Sequence, residues 1–316
     1  MGKNGDENLT FRHSKYHGKC HKRRRKHKVN GPAVATFAVE IQTMIIAGYF
    51  ASALIGISLG LIGGGGSILT VPVLVYLFGV DPVLATAYSL FIVGSTSLVG
   101  AVPKYREHLV NLRTAAVFGI PSIAAVYLTR AWLMPLIPAT ILRIGGFSLT
   151  KPVFIMALFA VLMVFASLSM IRKKNGAKAP EPEGAQVFNY PLILLEGAIV
   201  GVLTGLVGAG GGFLIIPALV LFSKLPMKQA VGTSLLIIAA KSLFGFLGDL
   251  SHYRFDWLLL GSVTALAVAG IFVGNRLSRK IDGDKLKQAF GWFVLVMGIY
   301  ILLRELLLNP AATAAH

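Results

Sequence analysis

Long uninterrupted apolar runs dominate the chain. A helix that crosses the bilayer core needs about 20 apolar residues, and eight runs are long enough: 41–62, 83–102, 113–133, 153–171, 190–209, 229–248, 256–275 and 287–306. Two shorter apolar pieces, 67–79 and 213–223, could cross only half of the bilayer. The runs are continuous and do not alternate with period two, which excludes a transmembrane barrel. The pattern predicts an all-α polytopic membrane protein with about eight transmembrane helices.

Composition and charge agree with this class. Hydrophobic residues make up 55% of the 316 positions and charged residues 14%, whereas a soluble domain carries roughly 25% charge. The single cysteine, Cys20, excludes an intramolecular disulfide framework and a multi-cysteine zinc site. No cleavable signal peptide is expected, because the first apolar run starts some 40 residues into the chain. About half of the net charge of +17 lies in residues 1–30, which hold ten Lys or Arg and two acids. Residues 1–39 are therefore predicted to be a basic, disordered cytoplasmic tail.

The two halves of the chain repeat each other. A shift of 145 residues aligns 56–100 with 201–245 without a gap, and 17 of these 45 positions are identical, several of them glycines and a proline. Chance similarity between apolar segments rarely keeps Gly and Pro in step. The alignment predicts two homologous helical repeats with Gly-rich breaks. We assign 40–171 to the first repeat, 172–189 to a polar cytoplasmic linker, 190–308 to the second repeat and 309–316 to a short C-terminal tail.

Glycine clusters interrupt both repeats at matching places. The clusters 63–66 and 208–212 each precede a short apolar piece that contains Pro72 or Pro217. Duplicated halves with such interrupted segments are typical of secondary transporters, and the segments point to the substrate site. Glycines allow backbone N–H groups to approach a ligand, and a helix N-terminus after the cluster suits an anion. The alternative is close helix packing without substrate contact. A nucleotide-binding loop is excluded because no G-K-[ST] follows either cluster.

The doubled glycine motif resembles a known family. The paired G-x-x-G-x-G-G pattern, the proline after it and the G-T-S-L element at 232–235 are similar to the sulfite exporter family of the TauE/SafE type, over about 41–306. The resemblance implies a bacterial or archaeal inner-membrane permease for sulfite, sulfonates or related organosulfur anions. The long basic front of the chain departs from the family pattern.

Candidate substrate-binding residues follow from the repeat and from polar groups inside the spans. They are Gly63, Gly65, Gly66, Ser67, Ser89, Gly208, Gly210, Gly211, Gly212, Ser234 and Lys241. Ser89 and Ser234 are equivalent in the repeat and could donate to an oxyanion, or could bond their own helix carbonyls.

Lys241 lies in the middle of an apolar run, where an ionisable group is costly and indicates function. It aligns with Thr96, and we predict that it faces a central cavity beside Ser234 and supplies countercharge to the anion. The alternative is a structural ion pair with Glu196. Asp249 and its neighbours 252–256 are expected to be solvated loop residues.

No catalytic residue, cofactor or resident metal is predicted. The spans contain no Cys or His and only isolated acids, which argues against a membrane enzyme. The tail contains His13, His17, Cys20, His21 and His27, but the surrounding cations disfavour a metal.

The distribution of Lys and Arg predicts the orientation. The tail and the segments 103–113 and 172–178 are basic, which favours a cytoplasmic N-terminus, both termini inside and parallel repeats. One segment, 276–287, is basic but would then lie outside. Inverted repeats with an odd number of crossings per half are the alternative.

The sequence therefore predicts a secondary permease that moves a small anion by alternating access. Export is the expected direction, because a potential that is negative inside drives anions outward by about 2.3 kcal/mol per charge per 100 mV. The expected partners are the anion, membrane lipid and a coupled proton or cation, with no nucleic acid. An anion channel or a non-transporting membrane receptor is the alternative.

Overall fold

The computed structural model describes residues 31–144, 147–171, 190–221, 223, 225–278 and 283–305. This part of the chain is almost entirely helical: α1 Gly31–Ile62, α2 Thr70–Tyr76, α3 Pro82–Arg106, α4 Leu112–Leu128, α5 Met134–Leu136, α6 Lys151–Ile171, α7 Tyr190–Val207, α8 Gly212–Leu221, α9 Met227–Asp249, α10 Trp257–Leu277 and α11 Gly283–Leu303. A 3₁₀ segment, Gly63–Leu69, joins α1 to α2, and a π-helical turn, Thr129–Leu133, joins α4 to α5. One antiparallel hairpin is present, β1 Thr140–Ile144 and β2 Phe147–Thr150.

The linker 172–189, the C-terminal tail and residues 1–30 lie outside the described residues. The predicted tail nevertheless needs one correction, because α1 begins at Gly31 and makes 31–39 helical. Pro32 suits a first helical turn, and the apolar run that follows it favours continuation of the helix.

Six helical stretches of the described chain are long and apolar enough to cross a membrane: Gln42–Tyr76, Pro82–Arg106, Leu112–Leu136, Lys151–Leu168, Lys228–Asp249 and Trp257–Leu277. The predicted runs at 190–209 and 287–306 correspond to shorter apolar helices, Pro191–Val207 and Gly291–Leu303. The prediction of a helical protein with several apolar helices long enough to cross a membrane is therefore confirmed, whereas the predicted number of eight is not.

The first glycine cluster turns the chain back on itself. Gly63 has a φ of 73°, in the left-handed region that favours glycine. A Cβ built on Gly66 would collide with Ser58 and Leu59, which precede the cluster in α1. A Cβ on Gly48 would lie 2.7 Å from the ring of Phe78, which follows the cluster. The stretch Gln42–Tyr76 is therefore a hairpin with one long and one short limb.

The second glycine cluster does the same between α7 and α8. Gly208, Gly210 and Gly211 have φ values of 74°, 65° and 64°. A Cβ on Gly211 would collide with Thr204 of α7, seven residues earlier, so α8 runs back beside α7.

Helix boundaries recur at the spacing of the sequence repeat. The helices α1 and α7 end at Ile62 and Val207, and α3 and α9 begin at Pro82 and Met227. The helices α4 and α10 begin at Leu112 and Trp257. Each of these pairs is 145 residues apart, so the register found in 56–100 extends through the fourth helix.

Helices at equivalent positions run in opposite directions. In the central pair, a Cβ on Gly94 of α3 would lie 2.9 Å from Leu243 of α9, whereas Gly245 of α9 faces Leu90 of α3. The contact therefore moves towards the start of α3 as it moves towards the end of α9. The outer pair α6 and α11 is also antiparallel, since Gly291 packs on Ile171 while Gly298 packs on Met163.

The predicted parallel arrangement is therefore wrong, and the inverted alternative fits the observed directions. The prediction failed because it did not count the short limbs of the two glycine hairpins as separate segments. The pieces at 67–79 and 213–223 each reverse the chain once, so each half has an odd number of segments.

The antiparallel helices define two ends of the bundle. At the first, which we call the basic end, the backbone N–H of Asn111 before α4 donates to Thr233 Oγ1 near the start of α9, at 2.9 Å. The side chains described at this end include Lys104, Arg106, Arg113, Lys228 and Arg276. The opposite end, which we call the hairpin end, carries the β1–β2 hairpin and the loop 250–256 that joins α9 to α10. Arg276, the described start of the basic segment 276–287, thus lies at the same end as 103–113.

Candidate functional site

The two glycine clusters meet inside the bundle. A Cβ on Gly64 would collide with the backbone of Gly212, and a Cβ on Gly212 would collide with the backbone of Gly64. Gly210 lies against Val93 of α3 and Ile238 of α9, and its Cβ position is 3.4 Å from Ser67 Cβ. Interrupted segments of a duplicated transporter are expected at the interface of its halves, and the two clusters do touch, at the crossing of the central helices.

The contacts around the clusters are reciprocal. Gly63 of the first half faces Val231 of α9, with 2.8 Å from its Cβ position to Val231 Cγ1, and Gly208 of the second half faces Thr86 of α3. Thr86 and Val231 are themselves 145 residues apart. In the same way Gly66 touches Leu59 and Gly211 touches Thr204. Each half thus presents its glycine turn to the third helix of the other half.

Lys241 is brought to the second glycine turn. Its Nζ donates to Thr204 Oγ1 at 3.0 Å and lies 2.7 Å from the Cβ position of Gly211. The lysine is fully buried, with 0% of its surface exposed. A side chain at position 211 would occupy this space, so the glycine is what allows the ammonium to reach the turn.

Within the described part of the chain no carboxylate forms an ion pair with Lys241, unlike Arg130, which pairs with Asp249. The alternative ion pair with Glu196 is not formed. Thr204 is itself engaged as a donor to Val200 O at 2.6 Å, so its oxygen is the acceptor that Lys241 has here. A lone ammonium at bilayer depth costs at least about 2.5–3.5 kcal/mol on insertion scales.

A narrow crevice adjoins Lys241, with Leu162 of α6, Thr204 of α7 and Gly211 among its walls. It is narrower than a water molecule in this conformation. The crevice is therefore closed to a ligand in this structure.

The serines behave differently from one another. Ser234 donates to Val231 O and Ser67 donates to Gly64 O, so both bond their own chain segment. Ser234 also lies two turns, roughly 10 Å, before Lys241 on α9, and the structure does not bring the two together. Ser89 is buried, and its hydroxyl has no partner among the described residues. Of the two equivalent serines, only Ser89 keeps a free donor.

A buried ion pair lies towards the hairpin end, and it was not predicted. Arg130 Nη1 donates to Asp249 Oδ2 at 3.1 Å and to Thr86 Oγ1 at 3.0 Å. Both charged side chains are fully buried. The expectation that Asp249 is a solvated loop residue is wrong, because α9 continues through Asp249 and packs it against the π-helical turn that carries Arg130. The sequence did contain an indication of this buried charge, because Arg130 is an ionisable residue inside the predicted run 113–133.

Lysine and tyrosine side chains complete this cluster. Lys151, the first residue of α6, donates through Nζ to Met134 O. Tyr253 lies in the loop after α9, where burial and the neighbouring Asp249 raise the pKa of its phenol above the ordinary value.

Comparisons with known proteins indicate a membrane transporter. The family described as Sulfite exporter TauE/SafE matches residues 48–301. A probable membrane transporter protein of Xylella fastidiosa is 29% identical over 84% of this chain and 97% of its own length, and one from a second strain is 30% identical over the same shares. A probable membrane transporter protein of Methanocaldococcus jannaschii is 26% identical over 84% of this chain and 97% of its own.

No solved structure matches the chain. The match of the family covers most of the sequence and includes both glycine turns, Lys241, Arg130 and Asp249. The chain therefore belongs to the sulfite exporter TauE/SafE family of membrane transporters.

Proposed function

We propose that the protein is a secondary permease that exports a small anion, of the sulfite or organosulfur class, by alternating access. The observation that carries this proposal is Lys241, a buried ammonium whose described hydrogen-bond acceptor is the hydroxyl of Thr204. A sulfur oxyanion would offer the negative charge and the acceptor oxygens that Lys241 lacks. The name of the family, Sulfite exporter, supports the choice of anion.

The substrate site that we propose lies where the two glycine turns touch. Lys241 and Gly211 form one wall, and the backbone of 63–67 approaches from the other half. Ser89 is a further donor on α3, whereas Ser234 and Ser67 are occupied within their own segments. The glycines then serve both purposes considered from the sequence, close packing and access of backbone N–H groups to the anion.

Alternating access would arise from an inverted repeat. The reciprocal pairs Gly63–Val231 and Gly208–Thr86 and the opposite directions of α3 and α9 support two halves related by a pseudo-two-fold axis in the membrane plane. Each half would then contribute five segments, two of them the limbs of a glycine hairpin. Because the halves meet through small residues, one can rock against the other around Lys241. A coupled proton or cation and membrane lipid are the other partners that we propose.

We propose that the basic end faces the cytoplasm of a bacterial or archaeal inner membrane. The described cations Lys104, Arg113 and Arg276 share that end. The antiparallel order then places Tyr49 of α1, which packs on Phe78, at the outer face. This argues against the cytoplasmic N-terminus that the charge of the tail alone favours.

Cysteine labelling tests this orientation. In a Cys20→Ser background, Arg254→Cys at the hairpin end is expected to react with a membrane-impermeant maleimide in intact cells, whereas Arg106→Cys is expected to react only after permeabilisation. Both arginines are exposed, so the two sites are matched in accessibility to solvent. The reverse pattern would place the basic end outside and overturn the orientation.

Flux measurements test the function. In proteoliposomes, we expect uptake or efflux of sulfite, thiosulfate or a short sulfonate, and no flux of an alkali cation alone. Unlabelled substrate on the far side should accelerate labelled flux, because a carrier returns faster when loaded and a channel does not. Absence of flux for all three anions, with correctly inserted protein, would refute the proposal. Flux without acceleration would identify an anion channel instead.

A further inference from the structure

The Arg130 cluster contains donors that none of the described residues accepts from. Only Nη1 of the guanidinium has partners, Thr86 Oγ1 and Asp249 Oδ2. Within the described residues, Nε and Nη2 of Arg130 and Oδ1 of Asp249 have no hydrogen-bond partner, although all three are buried. A buried ionic donor without a partner is costly, so something outside the described chain is expected to satisfy it.

The two free nitrogens form one edge of the guanidinium. Nε–H and the adjacent Nη2–H point in parallel, which is the fork that binds two oxygens of a carboxylate, sulfonate or similar oxyanion at once. The other nitrogen is held by Thr86 and Asp249, so the fork has a fixed direction. This is a built donor pair and not a flexible surface arginine.

Charged groups of both signs lie around Arg130. Besides its partner Asp249 of α9, the titratable groups that interact with the cluster are Lys151 of α6, His252 and Tyr253 of the following loop, and Asp81 before α3. Asp81 Oδ1 accepts from the backbone N–H groups of Val83 and Leu84 and thus caps its own helix. Arg130 therefore has one direct carboxylate partner, through one of its oxygens, and Lys151 adds a second cation close by.

The position of the cluster connects it to the glycine turns. Thr86, which accepts from Arg130, is also the residue against which Gly208 packs. Arg130 is thus linked through Thr86 to the first glycine of the second turn, whereas Lys241 lies beside Gly211 of the same turn. One turn therefore connects the two buried cations, directly to Lys241 and through Thr86 to Arg130.

The repeat gives an independent indication. Asn275 is the residue 145 positions after Arg130, and its amide Oδ1 and Nδ2 are also buried without a partner among the described residues. Asn275 packs beside Gly60, near the basic end, with 2.7 Å between its backbone nitrogen and the Gly60 Cβ position. Equivalent positions in the two halves therefore both hold unused polar groups, one towards each end of the bundle.

We propose that the Nε–Nη2 edge of Arg130 is a second oxyanion site, at the hairpin end, for the sulfur oxyanion or sulfonate that the permease carries. Asp249 is the countercharge of Arg130 while no ligand is bound, and Thr86 fixes the direction of the fork. The inference rests on the proposed function, because it takes the same class of anion as the ligand.

The test is Arg130→Lys, measured with sulfite as the probe. Lysine keeps the charge and can still pair with Asp249, but it lacks the fork. We expect at least about a tenfold rise in KM for sulfite flux in proteoliposomes, and a matching loss of sulfite affinity in a direct binding titration of the purified full-length protein. Arg254→Lys, the same change at an exposed arginine of the same end, should leave KM within about twofold.

A double variant separates binding from folding. Arg130→Gln with Asp249→Asn removes both buried charges at once, so no uncompensated ion remains to prevent insertion. If the pair is a site, the double variant inserts and melts like the native protein but loses sulfite binding and flux. If the pair only holds helices together, the double variant transports normally.

The outcomes distinguish the two proposals. Native flux with an unchanged KM and affinity in Arg130→Lys, or normal transport by the double variant, would overturn the second site and leave the permease standing. A native protein that neither binds nor transports sulfite, thiosulfate or a sulfonate would overturn both.

Discussion

Lys241→Met is expected to abolish anion flux while the protein still inserts and folds. Methionine matches the length of lysine but carries no charge, so it removes the countercharge without leaving a large hole. A hydrogen bond to a charged group contributes about 1.5–3 kcal/mol. Its loss should therefore weaken sulfite binding by roughly ten- to a hundredfold. The measurements are sulfite flux in proteoliposomes and affinity by titration.

The thermal stability of Lys241→Met, unlike its anion flux, should not fall. Lys241 is fully buried and its described acceptor is Thr204 Oγ1, so Met is expected to leave the melting temperature unchanged or to raise it. Lys228→Met, the same substitution at an exposed lysine in the first turn of the same helix, is the matched control and should transport normally. Native flux by Lys241→Met at both limiting and saturating sulfite would refute the role of Lys241 as countercharge.

Gly212→Ala is expected to be one of the more damaging single methyl groups in the described chain. Its Cβ would overlap the Cα, C and O atoms of Gly64, and backbone atoms cannot move aside as a flexible side chain can. Overpacking of this kind costs about 1–3 kcal/mol or more. We expect a clearly lower melting temperature, measured by thermal unfolding of the purified protein in detergent.

Gly261→Ala is the control for this substitution. Gly261 lies in α10, and a Cβ there would meet nothing within 4 Å. Alanine favours a helix over glycine by about 1 kcal/mol, so this variant should be as stable as the native protein or more stable. Equal stability of the two variants would show that the contact between Gly64 and Gly212 is not a tight one.

The sequence was most informative about which residues meet. The 145-residue register placed Gly63, Gly208 and their neighbours at equivalent positions, and equivalent segments of a duplicated transporter pack together near their symmetry axis. The register indicates that the two glycine clusters lie near each other, and the structure shows which residues touch, Gly64 and Gly212. The depth of Lys241 was likewise readable, because a lysine in the middle of an apolar run has no short route to water.

The direction in which each helix runs could not be predicted, because it depends on whether each half has an odd or an even number of segments. The apolar pieces at 67–79 and 213–223 are too short to count as spans, yet each reverses the chain, and omitting both leaves the predicted number of segments per half even. The positive charge of the tail then favoured an even number of segments in each half. Arg130 and Asp249 were missed for a different reason: they are 119 residues apart, and no periodicity links a residue in the π-helical turn after α4 to the last residue of α9.

Reciprocal packing between the halves also bears on biosynthesis. Gly56 of α1 packs on Ala267 of α10, while Gly201 of α7 packs on Ser122 of α4, again at equivalent positions. Helix α1 is therefore synthesised before its packing partner, because Ala267 of α10 follows Gly56 by 211 residues. Until then its small-residue face is covered by lipid. Native packing of α1 must follow insertion of the second half, so a nascent chain that stops before α10 holds an inserted but incompletely assembled first half.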